Sequence, residues 1–384
     1  MRVLFWSRGP RGDVEPLVAL AARLRALGAD ARMCAPSNFA ERLAETGVPL
    51  VLADRSMLDG PREAGRGPEP ELVAARLAER FDTVPAVAEG CDAIVASGLP
   101  SGAAAVRSVA EKLGIRYFYA IASPYLLPTP EQRESYNRGA DRMFGGPLNE
   151  RRASIGLPPV RNVYDYYCTD RPWLAADPVL APPRPGAGAA PTGAWMLPDE
   201  RPLAPALEAF LRAGPPPVYL GFGSGPAPAE VTRVAVAAVR ARGGRLIISR
   251  GWAGLTQPGD GDDCLAIGEV NLRALFGRVA VAVHHGGTGT THVATLAGVP
   301  QIVVPQIADQ PRYAERVAEL GIGVAHPGPV PTVESLSGAL DAVAAPEVRA
   351  RAAAVAGTVR TDGTDVAARR LCEAIGRNAP EMVA

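Results

Sequence analysis

At 384 residues the chain exceeds what one hydrophobic core usually organises, which points to two domains. Hydrophobic content of 47% with 21% charge marks a globular protein, and 40 basic against 40 acidic side chains leave no global field to attract nucleic acid or an anionic membrane. Five scattered cysteines without a CxxC pair indicate neither a disulfide framework nor zinc, and with no leader and no apolar run near the ~20 residues of a membrane span the chain reads as cytoplasmic.

Arg2–Trp6 is a short apolar strand, Ser7–Glu15 a loop rich in glycine and charge, and Pro16–Leu27 has helical periodicity that stops at Gly28. Strand Asp30–Ala35 and a helix over Phe39–Gly47 repeat the pattern. Strand Ala93–Ser97, helix Gly102–Leu113 and strand Tyr117–Ala122 continue it, and such alternation implies a parallel sheet wrapped by helices. From Ser123 to Arg201 regularity is expected to decline, because prolines punctuate the chain and Pro182–Gly188 reads as a surface loop. A domain boundary is placed near 195–215. A second series then runs through strand Val218–Phe222, helix Ala229–Arg240, strands Arg245–Ser249 and Cys264–Ile267 and helix Leu272–Phe276. Strand Val279–His284, helix Thr291–Ala297 and strand Gln301–Pro305 follow, and helices are expected to fill the rest. The expected organisation is thus two α/β domains facing across a cleft, 1–200 and 201–365, with a C-terminal helix over 366–384 packing back on the first. In open sheets of this kind ligands bind beyond the carboxyl ends of the strands.

The most informative stretch is His284-His285-Gly286-Gly287-Thr288-Gly289-Thr290-Thr291-His292, where an apolar strand gives way to a helix. Glycines let backbone amides approach a ligand, and a helix N-terminus supplies unpaired N–H donors with partial positive charge. Thr288, Thr290 and Thr291 add hydroxyls, and a histidine at the strand end can donate to a phosphate oxygen. The bland alternative is a tight turn with threonine caps. Gly223-Ser224-Gly225 repeats the arrangement after an earlier strand, either as a second amide cradle or as an ordinary turn; it lacks the GxGxxG spacing. In Pro305–Pro311, Asp309 and Gln310 can accept from and donate to neighbouring sugar hydroxyls, or serve to cap the next helix. Near the start, Asp13 is either a general base for an acceptor hydroxyl or a helix N-cap. Gly259–Asp263 looks like a metal loop but lacks an EF-hand's glutamate, so a solvated turn is the better reading. Trp195 and Trp252 read first as core.

Taken together, these residues resemble the GT-B glycosyltransferases that decorate vancomycin- and teicoplanin-type glycopeptide antibiotics. The likeness rests on Arg11-Gly12-Asp13-Val14-Glu15, Arg107–Gly114, Arg151–Pro159, Thr192–Trp195 with Asp199–Leu203, Gly221–Ser224, Ser249–Trp252, His284–Thr291 and Asp309-Gln310. It implies two Rossmann-like domains across a deep cleft, the first binding a crosslinked heptapeptide aglycone or its monoglycoside and the second a UDP- or TDP-sugar. By the same resemblance Asp13 is the catalytic base. Donor-binding residues are then Arg11, Gly12, Ser224, His285, Gly287, Thr288, Gly289 and Thr290, with Asp309 and Gln310 on the sugar and Trp252 and Val270 near the base. The implied reaction is an inverting, metal-independent displacement with no cofactor.

Tyr136–Arg142 resembles members acting on the β-hydroxytyrosine at aglycone position six, while the intact His-His-Gly-Gly and Ala-Asp-Gln resemble users of UDP-glucose, so glucose or N-acetylglucosamine is the expected sugar. The Met57–Pro70 loop, where related enzymes differ most, leaves the acceptor hydroxyl open. Two other readings share the architecture: a UDP-N-acetylglucosamine 2-epimerase, for which no clear second carboxylate is evident, and a non-catalytic partner protein.

Overall fold

The computed structural model describes residues 1–56, 58, 70–259 and 261–376, and these divide into two compact units. The first comprises Met1–Pro178, Pro182–Leu197 and the chain from Arg360 onward. Its seven parallel strands are β1 (Arg2–Arg8), β2 (Asp30–Pro36), β3 (Leu50–Asp54), β4 (Ala93–Gly98), β5 (Arg116–Ile121), β6 (Trp173–Leu174) and β7 (Ala190–Pro191), in the order β3-β2-β1-β4-β5-β6-β7. Val3 to Trp6 of β1 are all buried, as a central parallel strand covered on both faces requires. The second unit, Val179–Ala181 with Pro198–Val359, holds six parallel strands. They are β8 (Val218–Gly221), β9 (Leu246–Ser249), β10 (Cys264–Ile267), β11 (Val281–His284), β12 (Gln301–Val303) and β13 (Gly323–Ala325), ordered β10-β9-β8-β11-β12-β13.

Several elements differ from the sequence-based expectation. Edge strand β3, edge strand β13 and the helix Pro70–Ala88 are not revealed by periodicity, the first two because short edge strands carry little pattern. The region expected to be irregular instead carries helices Pro130–Ala140, Gly146–Ser154 and Val163–Cys168, the first two joined by a π-helical turn at Asp141–Gly145. Prolines that read as breakers stand at helix starts: Pro130 occupies a first turn, where its missing N–H costs nothing, and Gln132 accepts from the Thr129 amide at 3.1 Å. After Arg360 the chain rejoins the first unit, and helix Gly363–Ile375 packs against helix Arg11–Ala26, Arg23 bonding Asp365.

Two of the motifs that carry the family resemblance are structural. Arg152, 1% exposed, grips Glu111 with both terminal nitrogens (2.9 and 3.2 Å). It also donates to Ser108 Oγ, the Tyr166 hydroxyl and the Pro158 carbonyl. Arg107 stacks 4.4 Å from the Tyr166 ring. This hub joins the helix Pro100–Leu113 to Gly146–Ser154 and Val163–Cys168. All five cysteines are unpaired and buried, and no helix among the described residues is long and apolar enough to cross a membrane.

Removing the counter-charge of a buried guanidinium is costlier than removing both partners. Glu111→Ala is therefore expected to lower the stability of the first unit by about 2 kcal/mol, the modest figure reflecting Glu111's own partial exposure. Denaturant unfolding read at Trp fluorescence checks this, and a loss near zero would show that the remaining partners of Arg152 suffice.

Candidate functional site

In each sheet the strand order reverses once, between β1 and β4 and between β8 and β11, and open parallel sheets bind ligands beyond the carboxyl ends at such points. At the second reversal β8 ends at Gly221 and β11 at His284, register partners of each other. The segments that follow are Phe222–Gly225 and His285–Thr290, both singled out from sequence.

The helix after β11 begins at Thr288, three residues earlier than periodicity suggests, with Gly287 at its N-cap and no side-chain cap. Thr288, Gly289 and Thr290 therefore form the first turn, whose N–H groups have no partner inside the helix. Thr291 is no ligand donor: it is fully buried and its hydroxyl donates to the Gly287 carbonyl at 3.0 Å. Gly286 adopts φ +84°, and a Cβ there would stand 2.7 Å from Val303 Cγ1.

His285 is 7% exposed, with its imidazole slotted between glycines. A Cβ on Gly287 would lie 2.3 Å from Nε2, and one on Gly223 2.9 Å from Cε1, so only glycine admits the ring. Burial pushes its pKa down to about 4, with the Gly221 carbonyl opposing. The ring is thus neutral near pH 7 and can offer one N–H, not an imidazolium charge. Among the described residues its Nδ1 is buried without a hydrogen-bond partner.

Around Gly223-Ser224-Gly225 the Gly225 amide closes a turn onto the Phe222 carbonyl at 3.0 Å, which leaves Ser224 at the apex and takes Gly225 out of any cradle. The Gly223 carbonyl accepts from the Trp252 amide at 2.9 Å, tying the segment after β9 to this turn. Trp252 is half-buried. Val270 lies three residues past the end of β10, as Trp252 lies three past β9, and is partly buried against a core cluster that includes Ile267 and Leu275. Trp195, in the other unit, is core, its indole N–H bonding Thr192 Oγ1.

Gln310 departs from the simple sugar-ligand reading. It is 7% exposed, and its side-chain oxygen accepts from the amides of Gln306 (2.8 Å) and Ile307 (3.1 Å), leaving only the NH₂ for a ligand. Asp309 occupies the N-cap of helix Gln310–Glu319 but makes no capping bond; Thr288 Oγ1 approaches its Oδ2 at 3.5 Å. Ala308 before it is held at φ +56°, a left-handed conformation rare outside glycine.

At the first reversal, Asp13 is in the first turn of helix Arg11–Ala26, whose N-cap is Pro10, so Asp13 is not the capping residue. Its carboxylate folds over Gly9: a Cβ there would meet Oδ2 at 2.0 Å. Arg11 and Gly12 belong to this unit, apart from the unit that holds the other donor-binding candidates. Among the described residues no three His, Cys, Asp or Glu side chains gather as metal ligands. In the Gly259–Asp263 loop, Asp263 pairs with Arg240 at 2.6 and 2.8 Å, while Asp260 lies outside the described residues, as does most of the Met57–Pro70 loop.

Sequence reasoning missed the chain of buried polar groups beneath the histidine loop. The Gly286 amide donates to His284 Nδ1 at 3.1 Å, and His284 Nε2 meets Gln301 Oε1 at 3.0 Å. Gln301 Nε2 donates to Thr295 Oγ1 at 2.9 Å, which donates to the Thr291 carbonyl at 2.8 Å. The only hint was a glutamine heading the otherwise apolar strand Gln301–Val303.

Residues 3–127 match the family model described as the glycosyltransferase family 28 N-terminal domain, and residues 261–370 the erythromycin biosynthesis protein CIII-like C-terminal domain. The chain is 56% identical to the vancomycin aglycone glucosyltransferase and 58% identical to the dTDP-epi-vancosaminyltransferase of Amycolatopsis orientalis, with all of both chains covered in each comparison. Among solved structures, the glycotransferase of kitacinnamycin matches with a TM-score of 0.75 over 97% of this chain and 98% of that one, at 19% identity, a likeness of fold.

The two buried histidines make stability depend on pH. Burial holds His284 down to about 3 and His285 to about 4, against 6.5 for the ordinary group. Below pH 6.5 the unfolded chain binds protons that the folded chain refuses, so stability is full above that pH and falls as pH drops toward 4. Denaturation midpoints of the second unit are expected to fall between pH 7 and pH 5, less steeply in His284→Asn; equal slopes would contradict this origin.

Proposed function

This chain belongs to the glycosyltransferase family of the vancomycin aglycone glucosyltransferase, and we propose that it carries a hexose from a UDP- or TDP-sugar to a hydroxyl of a glycopeptide-antibiotic aglycone. The observation that carries this reading furthest is the row of uncapped amides at Gly287–Thr290, set at the reversal point of the second sheet. Uncapped helix amides in a glycine-lined turn suit a diphosphate, which needs many short N–H contacts and little side-chain bulk. His285 adds a neutral N–H and Ser224 a hydroxyl. Asp309 accepts from the sugar hydroxyls, Gln310 donates through its NH₂, and Trp252 and Val270 flank the base.

In the reaction, the Asp13 carboxylate takes the proton of the acceptor hydroxyl. The oxygen attacks the anomeric carbon from the face opposite the phosphate, and the bond from that carbon to the phosphate oxygen breaks. Its electron pair leaves on the nucleoside diphosphate, whose growing charge the amides of Gly287–Thr290 spread. The configuration inverts. Glucose or N-acetylglucosamine is the proposed sugar, on the strength of the Gly-Gly and Asp-Gln segments; the aglycone's β-hydroxytyrosine at position six is the proposed acceptor, on that of Tyr136–Arg142.

Incubation with each UDP- and TDP-sugar and with vancomycin- and teicoplanin-type aglycones, followed by mass spectrometry, is expected to give a single hexose increment. Donor isomerised without acceptor would instead identify an epimerase, and binding without turnover a partner protein. Asp13→Asn is expected to slow transfer by on the order of 100-fold while nucleotide affinity stays near that of the parent. Unchanged turnover would remove Asp13 from the chemistry. Transfer is expected to persist in excess EDTA, since every step above is assigned to protein groups; abolition that added divalent cation reverses would overturn the metal-independent scheme.

A further inference from the structure

We propose that His284, Gln301 and Thr295 form a positioning relay that holds the Gly286–Thr290 loop in its ligand-binding form, with His284 a neutral imidazole carrying its proton on Nε2. The inference rests on the reading that this loop grips the donor diphosphate, and it adds residues that touch no ligand.

The tautomer follows from the backbone. Gly286 donates its N–H to Nδ1, so Nδ1 must present a lone pair, and the ring proton is left on Nε2 to donate to Gln301 Oε1. The order of donors and acceptors then has one solution as far as the Thr291 carbonyl, inside the helix whose first turn faces the ligand. Thr291 closes the loop by donating back to Gly287. His284, Gln301 and Thr291 are fully buried and Thr295 is 1% exposed, so water cannot replace a lost partner. Gln301 stands opposite Ala282, two residues before His284, which puts both side chains on one face of the sheet.

Without its acceptor, the Gly286 amide would be buried and unpaired, and the left-handed turn at φ +84° would lose the bond that orients it. A second proton on His284 does the same: Nδ1–H would then point at Gly286 N–H, donor against donor. Gln301 is suited to this task because its amide accepts from Nε2–H without drawing that second proton, as a carboxylate would. His285, the other titratable group acting on His284, also opposes a positive charge there.

The test uses the full chain, with UDP and TDP as probes. Gln301→Glu keeps the size and the acceptor but favours the imidazolium, so the competent fraction of the loop falls with pH. Calorimetric affinity of this variant is expected to weaken by about tenfold relative to the parent for each pH unit below the new His284 titration. Adding His284→Asn, whose carbonyl can accept from Gly286 but cannot titrate, is expected to flatten that profile. A merely structural role predicts a loss that does not depend on pH. Ring ¹⁵N spectra of the parent protein give a readout that needs no variant: His284 is expected as the Nε2–H tautomer from pH 8 to pH 6. An Nδ1–H tautomer, or a Gln301→Glu profile parallel to the parent's, would overturn the relay. A parent that binds neither UDP nor TDP would overturn the diphosphate reading itself, and with it the purpose assigned to the relay.

Discussion

A helix that starts close after a buried strand must leave its first amides pointing at something, and at Gly287–Thr290 no side chain among the described residues caps them. Much of the second unit follows from that constraint. Glycine at 286 makes room for Val303 and glycine at 287 for the His285 ring, the Phe222–Gly225 turn follows the register-paired strand, and Trp252 is tied to that turn by a backbone bond. The amides carry fixed partial charge without a formal one, which suits the diphosphate proposed for this site.

The histidine pair contributes no formal charge to this region, whose nearby carboxylate is Asp309, 3.5 Å from Thr288 Oγ1. Both histidines of the pair are buried deeply enough to stay uncharged near neutrality, and with Lys112 as the sole lysine no ammonium group lies nearby in sequence. The two rings divide the labour. His285 fills the slot between Gly223 and Gly287, while His284 turns inward to the sheet and its glutamine. A buried polar chain of this kind is tolerated because every member is paired; a single missing partner would make it a liability.

The first unit shows the opposite economy. Its family-specific motifs Arg107–Gly114 and Arg151–Pro159 hold helices together through Arg152, Glu111 and Tyr166 on a third helix. Asp13, the proposed base, is set in the first helical turn over Gly9, where the absence of a side chain gives the carboxylate room.

From sequence alone the two α/β units, most strands and the histidine-glycine loop are legible, because alternating apolar runs and a Gly-rich strand end are local signals. The same holds for Asp13, Ser224 and the Asp309-Gln310 pair as candidates. Tertiary structure decided what those residues are free to do. Gln310 spends its oxygen on the loop, Thr291 is consumed by Gly287, Gly225 closes a turn, and Pro10 takes the cap that Asp13 was a candidate for. Hydrogen-bond partners such as Gln301, on a neighbouring strand, are set by sheet register, and no short-range pattern encodes register between strands 17 residues apart in the His284–Gln301 pair.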